Sequence, residues 1–457
     1  MRLRILFILL MLTICINLFA QSVKVTEERF FYGSDIDKDL DVVMPGNSFF
    51  DRAIMYGAIL SPVFIFEDNS AGRLGAYILN AKVWGKVYLW NNSFLYISGK
   101  NSYLGITQRQ GTYDNYKSDN VLDLDQAFLS ASYLNNSISF SLGRKYYTMG
   151  TGLVLNGRGD GAEAVFHLSV FSIDLLGLYT GFLLKDNNPY NLNDKDITDG
   201  AKRMFGGGTV SVFFYNQKVY LLGLVQMDFS KQTKSFETKY NSEYYGIGLE
   251  GVLFSHMSYY GEFVYERGTS YINSVDAGSP NPLIPFEKSN ISAFAINSGI
   301  YYYMRVALNP MLIVQYSFGS GDEHRTNYTS SNRPKEAKGD DRGFIAFGTF
   351  AGGYALKPNL GNIHIIRGGF SFAPFGNVSL GAKYLYYLKD KKEAPINANE
   401  APLPEAFIGQ GVDVSFRWQI CYDLSMYVNY GLFLPGDAYD KSTLKCNFVM
   451  AGINLSI

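Results

Sequence analysis

The residues of this 457-residue chain that could take part in chemistry are mainly charged side chains, placed at alternate positions within apolar segments. Lysine and arginine in such positions can bind carboxylates and other anions, and arginine can do so in bidentate fashion. Nucleophilic catalysis needs a neighbouring base, and histidine, the most common one, occurs only four times. No recognisable nucleophile motif lies beside any of them, so we expect that the protein is not an enzyme. The four are His167, His256, His324 and His364.

Acidic side chains cluster in the segment 320–361, where carboxylate oxygens could hold a calcium ion. The residues concerned are Asp322, Glu323, Asp340 and Asp341. Solvated acidic side chains in a surface loop are the simpler interpretation. Because the chain has only three cysteines, metal clusters and disulfide frameworks are disfavoured. We therefore predict no metal and no cofactor.

The elements that position the charged residues are extended segments with a period of two. In the segment 77–89, apolar residues alternate with polar ones, and Lys82 and Lys86 fall on the polar face. The segments 300–308 and 412–420 show the same alternation. This period is typical of β-strands that present one face to an apolar environment and the other to a polar one.

A pass along the whole chain predicts eighteen such strands. Short connections follow the even-numbered strands, and long connections follow most of the odd-numbered ones. This pattern favours an all-β fold, a transmembrane antiparallel β-barrel of about 18 strands with short periplasmic turns and long extracellular loops. The glycine-rich run 157–161 is interpreted as a turn before the sixth strand. The predicted strands are 53–66, 74–90, 93–108, 122–134, 137–147, 161–168, 170–182, 205–215, 218–229, 242–254, 257–269, 291–308, 311–319, 362–373, 378–389, 407–420, 424–434 and 444–456.

Residues 1–20 resemble a secretory signal peptide. Arg2 and Arg4 precede an apolar run, which ends in Ala20, the predicted cleavage site. The alternative is a lipoprotein site at Cys15, which fits less well because the apolar run continues beyond it.

The composition indicates a membrane protein without a transmembrane helix. The chain is 47% hydrophobic, 16% aromatic and only 18% charged, yet no run of 18 apolar residues follows the signal peptide. A β-barrel in the outer membrane of a Gram-negative-type bacterium would accommodate this apolar surface. We predict a periplasmic lead-in at 21–52 and the barrel at 53–457. The expected partners are outer-membrane lipid and the barrel-assembly machinery, and the near-neutral net charge predicts no nucleic-acid binding.

The polar faces of the predicted strands would line the lumen of the barrel. Closing a barrel brings the first strands beside the last, so most of the basic residues are predicted to share one wall, with most of the acidic residues across from them. The predicted basic lining residues are Lys82, Lys86, Lys100, Arg305, Arg367, Lys383 and Arg417. The predicted acidic lining residues are Asp174, Glu250, Glu262, Glu266 and Asp413.

Several short motifs, in order along the chain, resemble those of alginate-export (AlgE-like) outer-membrane proteins. The resemblance spans 125–437 and implies an eighteen-stranded barrel that passes a polymeric or acidic saccharide. The sequence departs from the family pattern at Lys145, where the family has glutamine, and at Ile457, where outer-membrane proteins usually end in Phe. The motifs are DQAFL at 125–129, LGRK at 142–145, GRGDGA at 157–162, SFGSGD at 317–322, GVDV at 411–414 and YGLFLPGD at 430–437.

Together these features predict an outer-membrane channel that passes a polar, anionic saccharide or a similar solute along a basic lumen wall. Conduction requires weak, multiple sites, and the acidic wall would prevent tight retention of the solute. Three alternatives stay open: charges that only solvate the lumen or pair with one another, a general or nutrient-uptake porin, and a structural or adhesive barrel that transports nothing. The segment 320–361 is the longest and most charged loop, but the sequence does not show which loop narrows the pore.

Overall fold

The computed structural model describes residues 54–90, 93–134, 136–185, 188–192, 194–230, 239–272, 287–328, 332–333, 337–397 and 400–457. The predicted signal peptide and lead-in lie outside the described residues. Within those ranges, no helix is long and apolar enough to cross a membrane. Helical structure includes α1 (Asp194–Asp199) and a 3-10 turn at Thr112–Asn115.

Eighteen long antiparallel strands form the wall of a closed barrel, because β1 pairs with β2 on one side and with β20 on the other. Two further strands of two residues each, β14 and β15, belong to the connection between β13 and β16. The strands are β1 (Ile54–Asn69), β2 (Gly72–Tyr88), β3 (Phe94–Gly111), β4 (Asp119–Tyr133), β5 (Ile138–Thr148), β6 (Leu155–Leu168), β7 (Phe171–Tyr179), β8 (Arg203–Phe214), β9 (Gln217–Asp228), β10 (Asn241–Leu253), β11 (Met257–Ile272), β12 (Glu287–Tyr303), β13 (Met311–Gly319), β14 (Asn332–Arg333), β15 (Phe347–Gly348), β16 (Ile363–Phe375), β17 (Val378–Leu388), β18 (Phe407–Cys421), β19 (Leu424–Pro435) and β20 (Cys446–Ser456).

The alternation in the sequence separates the two faces of the wall. On β2, Val83 is 65% exposed on the outside, while its neighbour Lys82 is only 5% exposed on the inside. Successive side chains of a strand point to opposite faces, so the apolar positions cover the outside and the polar positions line the lumen. An apolar outer face is what contact with lipid requires.

The structure confirms the predicted fold class, and each predicted strand corresponds to one strand of the wall. Short connections join strands at one end of the barrel, which we call the short-turn end, and the opposite end is the long-loop end. The largest boundary errors concern two strands. β6 begins at Leu155, six residues before the predicted start, and β12 ends at Tyr303, five residues before the predicted end.

The run 157–161 is extended strand and not the predicted turn. The glycines of this run allow neighbouring residues to pack closely against one face of β6. They do not form a turn. A Cβ atom on Gly161 would lie 2.1 Å from the backbone oxygen of Gly177 on β7, and one on Gly157 would lie 2.5 Å from the hydroxyl of Tyr190. Glycine in a strand often marks such a close approach.

Candidate functional site

Six of the seven predicted basic residues project from strands near the closure of the barrel. Lys82, Lys86, Arg367 and Lys383 are buried on the inner side, and Lys100 is half-buried. They lie on β2, β3, β16 and β17, and Arg417 lies on β18. These strands are neighbours through β19, β20 and β1, so the six residues occupy one continuous part of the wall.

The prediction that Arg305 lines the lumen is wrong. β12 ends at Tyr303, and Arg305 lies in the turn 304–310 with an exposed side chain. The alternation of residue types continues in the sequence beyond the end of the strand, through Val306 and Leu308. The two-residue alternation in the sequence therefore did not show that β12 ends at Tyr303.

The predicted acidic residues lie mostly on strands away from that basic region. Asp413 is the exception, since it lies on β18 directly opposite Lys383 in the register with β17. Glu262, Glu266 and Asp413 are almost completely buried. The remaining acidic residues are Asp174 on β7 and Glu250 on β10.

The connection between β5 and β6 leaves the barrel wall. β5 pairs with β4 only as far as Arg144, and β6 pairs with β7 only as far as Asp160. Beyond these positions the two strands continue to pair with each other, as far as Thr148 and Asn156. We call residues 145–159 the hairpin tip.

The hairpin tip reaches β11 and β12, five or more strands further along the wall. The backbone N–H of Thr151 donates a hydrogen bond to Glu262 Oε2 at 2.8 Å, and the Thr151 hydroxyl donates to Oε1 at 3.1 Å. Asn297 on β12 donates to the same hydroxyl at 3.1 Å. On the wall, the hydroxyl of Tyr220 donates to Glu262 at 2.5 Å. The hairpin tip therefore crosses part of the lumen and is fixed at its far end.

A second segment enters the lumen from the connection between β13 and β16. We call residues 344–361 the inner segment. Near its start, the backbone N–H of Ile345 donates to Glu266 on β11 at 3.1 Å. Phe347 and Gly348 then form β15, which pairs with the end of β6 beyond the point where β7 has stopped. The inner segment thus joins the hairpin tip through backbone hydrogen bonds.

Further along, the inner segment crosses to the strands at the barrel closure. The backbone N–H of Tyr354 donates to Asp413 on β18 at 3.1 Å. Arg367 donates to the backbone oxygen of Ala351 at 2.8 Å. The ammonium of Lys357 lies 3.4 Å from a carboxylate oxygen of Glu67 on β1. The segment 320–361 is therefore a loop that narrows the lumen, a point which the sequence left open.

Three predicted lining carboxylates share one role, which the sequence did not indicate. Glu262, Glu266 and Asp413 each accept a hydrogen bond from a backbone N–H of the hairpin tip or the inner segment. A hydrogen bond within a protein typically contributes about 0.5–1.5 kcal/mol to stability. These side chains anchor the constriction to the wall.

Apolar packing holds the two inward segments together. The ring of Phe347 lies 5.0 Å from that of Phe205 on β8, in an edge arrangement, and 6.4 Å from that of Tyr244 on β10. The backbone N–H of Phe347 donates to the oxygen of Val154 at 2.8 Å. These buried residues form one core with Leu155 of β6, so the constriction is a packed structure.

Two carboxylates of the acidic cluster in 320–361, Asp322 and Asp341, are paired with arginines. Arg325 donates to both oxygens of Asp341, at 2.9 and 2.6 Å, and Arg333 donates to Asp322 at 3.0 Å. Burial is the largest influence on Asp341 and raises its pKa, but the charges and hydrogen bonds of Arg325 and Arg333 outweigh burial and keep that pKa below its ordinary value. In the part of the chain that the structure describes, no three His, Cys, Asp or Glu side chains are grouped as metal ligands.

Residues 200–446, more than half of the sequence, match the model of the family described as "Alginate export". The chain belongs to the alginate export family. Family membership and the porin-like barrel together support an outer-membrane channel. They favour a transport protein over an enzyme. No curated protein matches it in sequence.

Solved structures similar to this alginate-export family member are outer-membrane porins. Pseudomonas aeruginosa OccK8 (OprE) has a TM-score of 0.54 and 10% identity over 88% of this chain and 98% of that chain. Acinetobacter baumannii OccAB1 has the same TM-score and identity, over 88% of this chain and 96% of that chain. At this level of identity the similarity concerns the fold alone.

Three of the motifs that resemble the alginate export family meet in space, a relationship that sequence reasoning missed. Arg144 binds Asp160 in bidentate fashion at 2.9 and 3.0 Å. Arg158 lies 3.0 Å from Asp125 and also pairs with Asp123. The ammonium of Lys82 lies 2.9 Å from Asp125. The signal was present in the sequence, because the motifs at 125–129, 142–145 and 157–162 carry four of these charged residues.

Proposed function

We propose that this member of the alginate export family conducts a polar, anionic saccharide or a similar acidic solute through its lumen. The observation that carries the proposal is the continuous basic region on the inner face, formed by strands that meet at the barrel closure. In this proposal the barrel lies in the outer membrane of a Gram-negative-type bacterium, assembled by the barrel-assembly machinery and surrounded by outer-membrane lipid.

Charge supports an anionic solute. Lysine and arginine bind carboxylates, and several such residues along one wall provide the weak, repeated sites that conduction needs. Three carboxyl groups of the inner face, Glu262, Glu266 and Asp413, already accept backbone hydrogen bonds from the inward segments. These carboxyl groups therefore serve to anchor the constriction, and in this proposal the basic region supplies the positive charge that attracts the solute.

The constriction supports a selective channel in preference to a wide pore. The hairpin tip and the inner segment both cross the lumen and are packed against each other through Phe347 and Val154. A solute must pass beside these segments, close to the wall. A narrow passage with low dielectric walls strengthens the interaction between the solute and the basic side chains.

Ion selectivity in planar bilayers tests the proposal. The test variant is the triple substitution of Lys86, Lys100 and Arg417 by glutamine, which removes three positive charges from the part of the basic region on β2, β3 and β18. We expect the ratio of anion to cation permeability to fall by about twofold or more, and inhibition of the current by oligomannuronate to weaken. Arg305→Gln is the matched control, since this side chain is exposed in the turn after β12 and does not belong to the basic region.

Other outcomes would support other functions. If the triple variant keeps the selectivity of the unchanged protein, the barrel is a general or nutrient-uptake porin and the basic region only solvates the lumen. If the unchanged protein shows no conductance after reconstitution, the structural or adhesive alternative is correct.

A further inference from the structure

The wall between β4 and β5 lacks backbone pairing over part of its height. The register of these strands runs from the pair Tyr133 and Ile138 to the pair Ala127 and Arg144, and ends there. β4 continues to Asp119, paired only with β3. In a closed barrel the backbone groups of each strand normally pair with both neighbours. We call the stretch of β4 that has no strand partner on the side away from β3, residues 119–126, the seam.

Arginine side chains provide hydrogen bonds to β4 where backbone pairing is missing. Arg144 donates to the backbone oxygen of Leu124 at 3.2 Å, and Arg158 donates to that of Asp125 at 3.3 Å. Arg144 also donates to the backbone oxygen of Phe182 at 2.8 Å, beyond the end of β7. The ion pairs with Asp125 and Asp160 complete this closure. Side chains therefore seal the seam, and side chains change rotamer far faster than paired strands separate.

The seam separates two environments of different polarity. On the outer face Leu122 is 74% exposed and Phe182 is 71% exposed. On the inner face Asp125 pairs with Lys82, and Ser98 on β3 donates to Asp125 at 3.4 Å. A molecule located at the seam would meet apolar surface outside the barrel and charged groups inside it.

The height of the seam places it next to one leaflet of the membrane. Ala127, where pairing ends, lies six residues from Tyr133 at the short-turn end, which is about 20 Å along the strand and about 15 Å along the barrel axis at a typical tilt of about 40°. An apolar band of about 25 Å surrounds such barrels. The seam therefore begins in the half of that band nearer to the long-loop end.

We propose that the seam is a lateral portal, through which a long-chain amphiphile with an acidic head passes between the lumen and the adjacent leaflet. Displacement of Arg144 and Arg158 opens the portal, and the two guanidinium groups bind the acidic head while the chain stays among Leu122, Leu124 and Phe182. This route is additional to the aqueous passage of the proposed function and does not depend on it.

Cysteine labelling by a membrane-confined reagent tests the portal. The background carries Cys421→Ser and Cys446→Ser, the two free cysteines of the described chain. Ser98→Cys places a thiol directly behind the seam. Ser415→Cys is the matched control, because Ser415 is also buried and faces the lumen, but lies on β18 away from the seam, where the neighbouring strands β17 and β19 are each paired with their own next strand. Each variant is reconstituted in vesicles and treated with N-dodecylmaleimide.

We expect Ser98→Cys to react about tenfold faster than Ser415→Cys, because local opening of the seam admits the alkyl chain. Adding Arg144→Gln and Arg158→Gln should accelerate labelling at position 98 and leave position 415 unchanged, and dodecanoate should slow labelling at position 98. A charged, water-soluble maleimide reports access through the aqueous lumen and should not distinguish the two positions in this way. Equal rates with N-dodecylmaleimide at the two positions, or no effect of the arginine substitutions, would overturn the proposal.

Discussion

The backbone N–H of Thr151 lies 2.8 Å from a carboxylate oxygen of Glu262, although 111 residues separate them in the chain. This hydrogen bond joins the hairpin tip to β11, the strand that it reaches inside the lumen. A Cβ atom on the preceding Gly150, which has a φ of +58°, would lie 1.9 Å from the same oxygen. A side chain at this position would therefore press against the carboxyl group that anchors the hairpin tip.

Removing the anchor at Glu262 should widen the passage. Glu262→Ala deletes the acceptor for both the backbone and the hydroxyl of Thr151, so the hairpin tip loses its fixed end. We expect a higher single-channel conductance and more current noise than in the unchanged protein. Glu250→Ala on the neighbouring strand is the control, because Glu250 pairs with Lys218 on the wall and not with an inward segment. Unchanged conductance in Glu262→Ala would show that other contacts hold the hairpin tip.

Gly161 should be intolerant of any side chain. A Cβ atom there would lie 2.1 Å from the backbone oxygen of Gly177, which cannot move without disturbing the pairing of β6 with β7. We expect Gly161→Ala to lower the free energy of unfolding by about 1–3 kcal/mol, as overpacking usually does. Urea unfolding followed by electrophoretic mobility measures the effect. Gly206→Ala on β8 should change little, because nothing lies within 4 Å of its Cβ position.

Asp341 should be essential for the order of the loop that leads to the inner segment. Asp341→Asn leaves the fully buried Arg325 without its charged partner, which in comparable buried pairs lowers stability by about 3–5 kcal/mol. Hydrogen exchange of the backbone amides in 320–345 should therefore become faster. Asp340→Asn is the control, because its side chain is exposed. Equal protection in the two variants would contradict the assigned role.

The pairing of Asp341 also predicts a dependence on pH. A carboxyl group whose pKa is lowered in the folded state stabilises that state above its unfolded pKa of 3.8, and the stabilisation is lost as the pH falls through the folded value. Amide protection in this loop, corrected for intrinsic exchange rates, should thus be the same at pH 7 and pH 5 and fall only below pH 3.8. Asp341→Asn should lack that acid-dependent loss. If amide protection already begins to fall between pH 7 and pH 5, a titratable group other than Asp341 is responsible.

The strands of the barrel wall could be predicted from the sequence, because the pattern that identifies each strand lies within the strand itself. Each strand faces lipid on one side and water or protein on the other, and this difference repeats every two residues. The errors arose where a second constraint acts on the same residues. The run 157–161 resembles a turn in composition, but its glycines serve the approach of β7 and Tyr190. Arg305 follows the strand pattern, but lies beyond the last paired residue.

The contents of the lumen could not be predicted in the same way. The alternation of side chains along each strand places Glu262, Glu266 and Asp413 on the inner face. It gives no information about which segment of the chain contacts them. That information depends on contacts across large sequence separations, such as the one between Glu266 and Ile345. Most residues of the Arg–Asp network at the seam lie in motifs that the sequence analysis had already recognised. Their proximity could not be predicted, because it depends on the register of the paired strands.

Closure of the barrel by β1 and β20 has a consequence for how the protein folds. The two strands stand at opposite ends of the described sequence, so their pairing has nearly the greatest possible sequence separation, and such contacts form slowly. The inner segment touches both, through Lys357 with Glu67 and through Ala355 with Cys446. In the folded protein the inner segment therefore bridges the two strands that close the barrel, so its packing and the β1–β20 pairing stabilise each other.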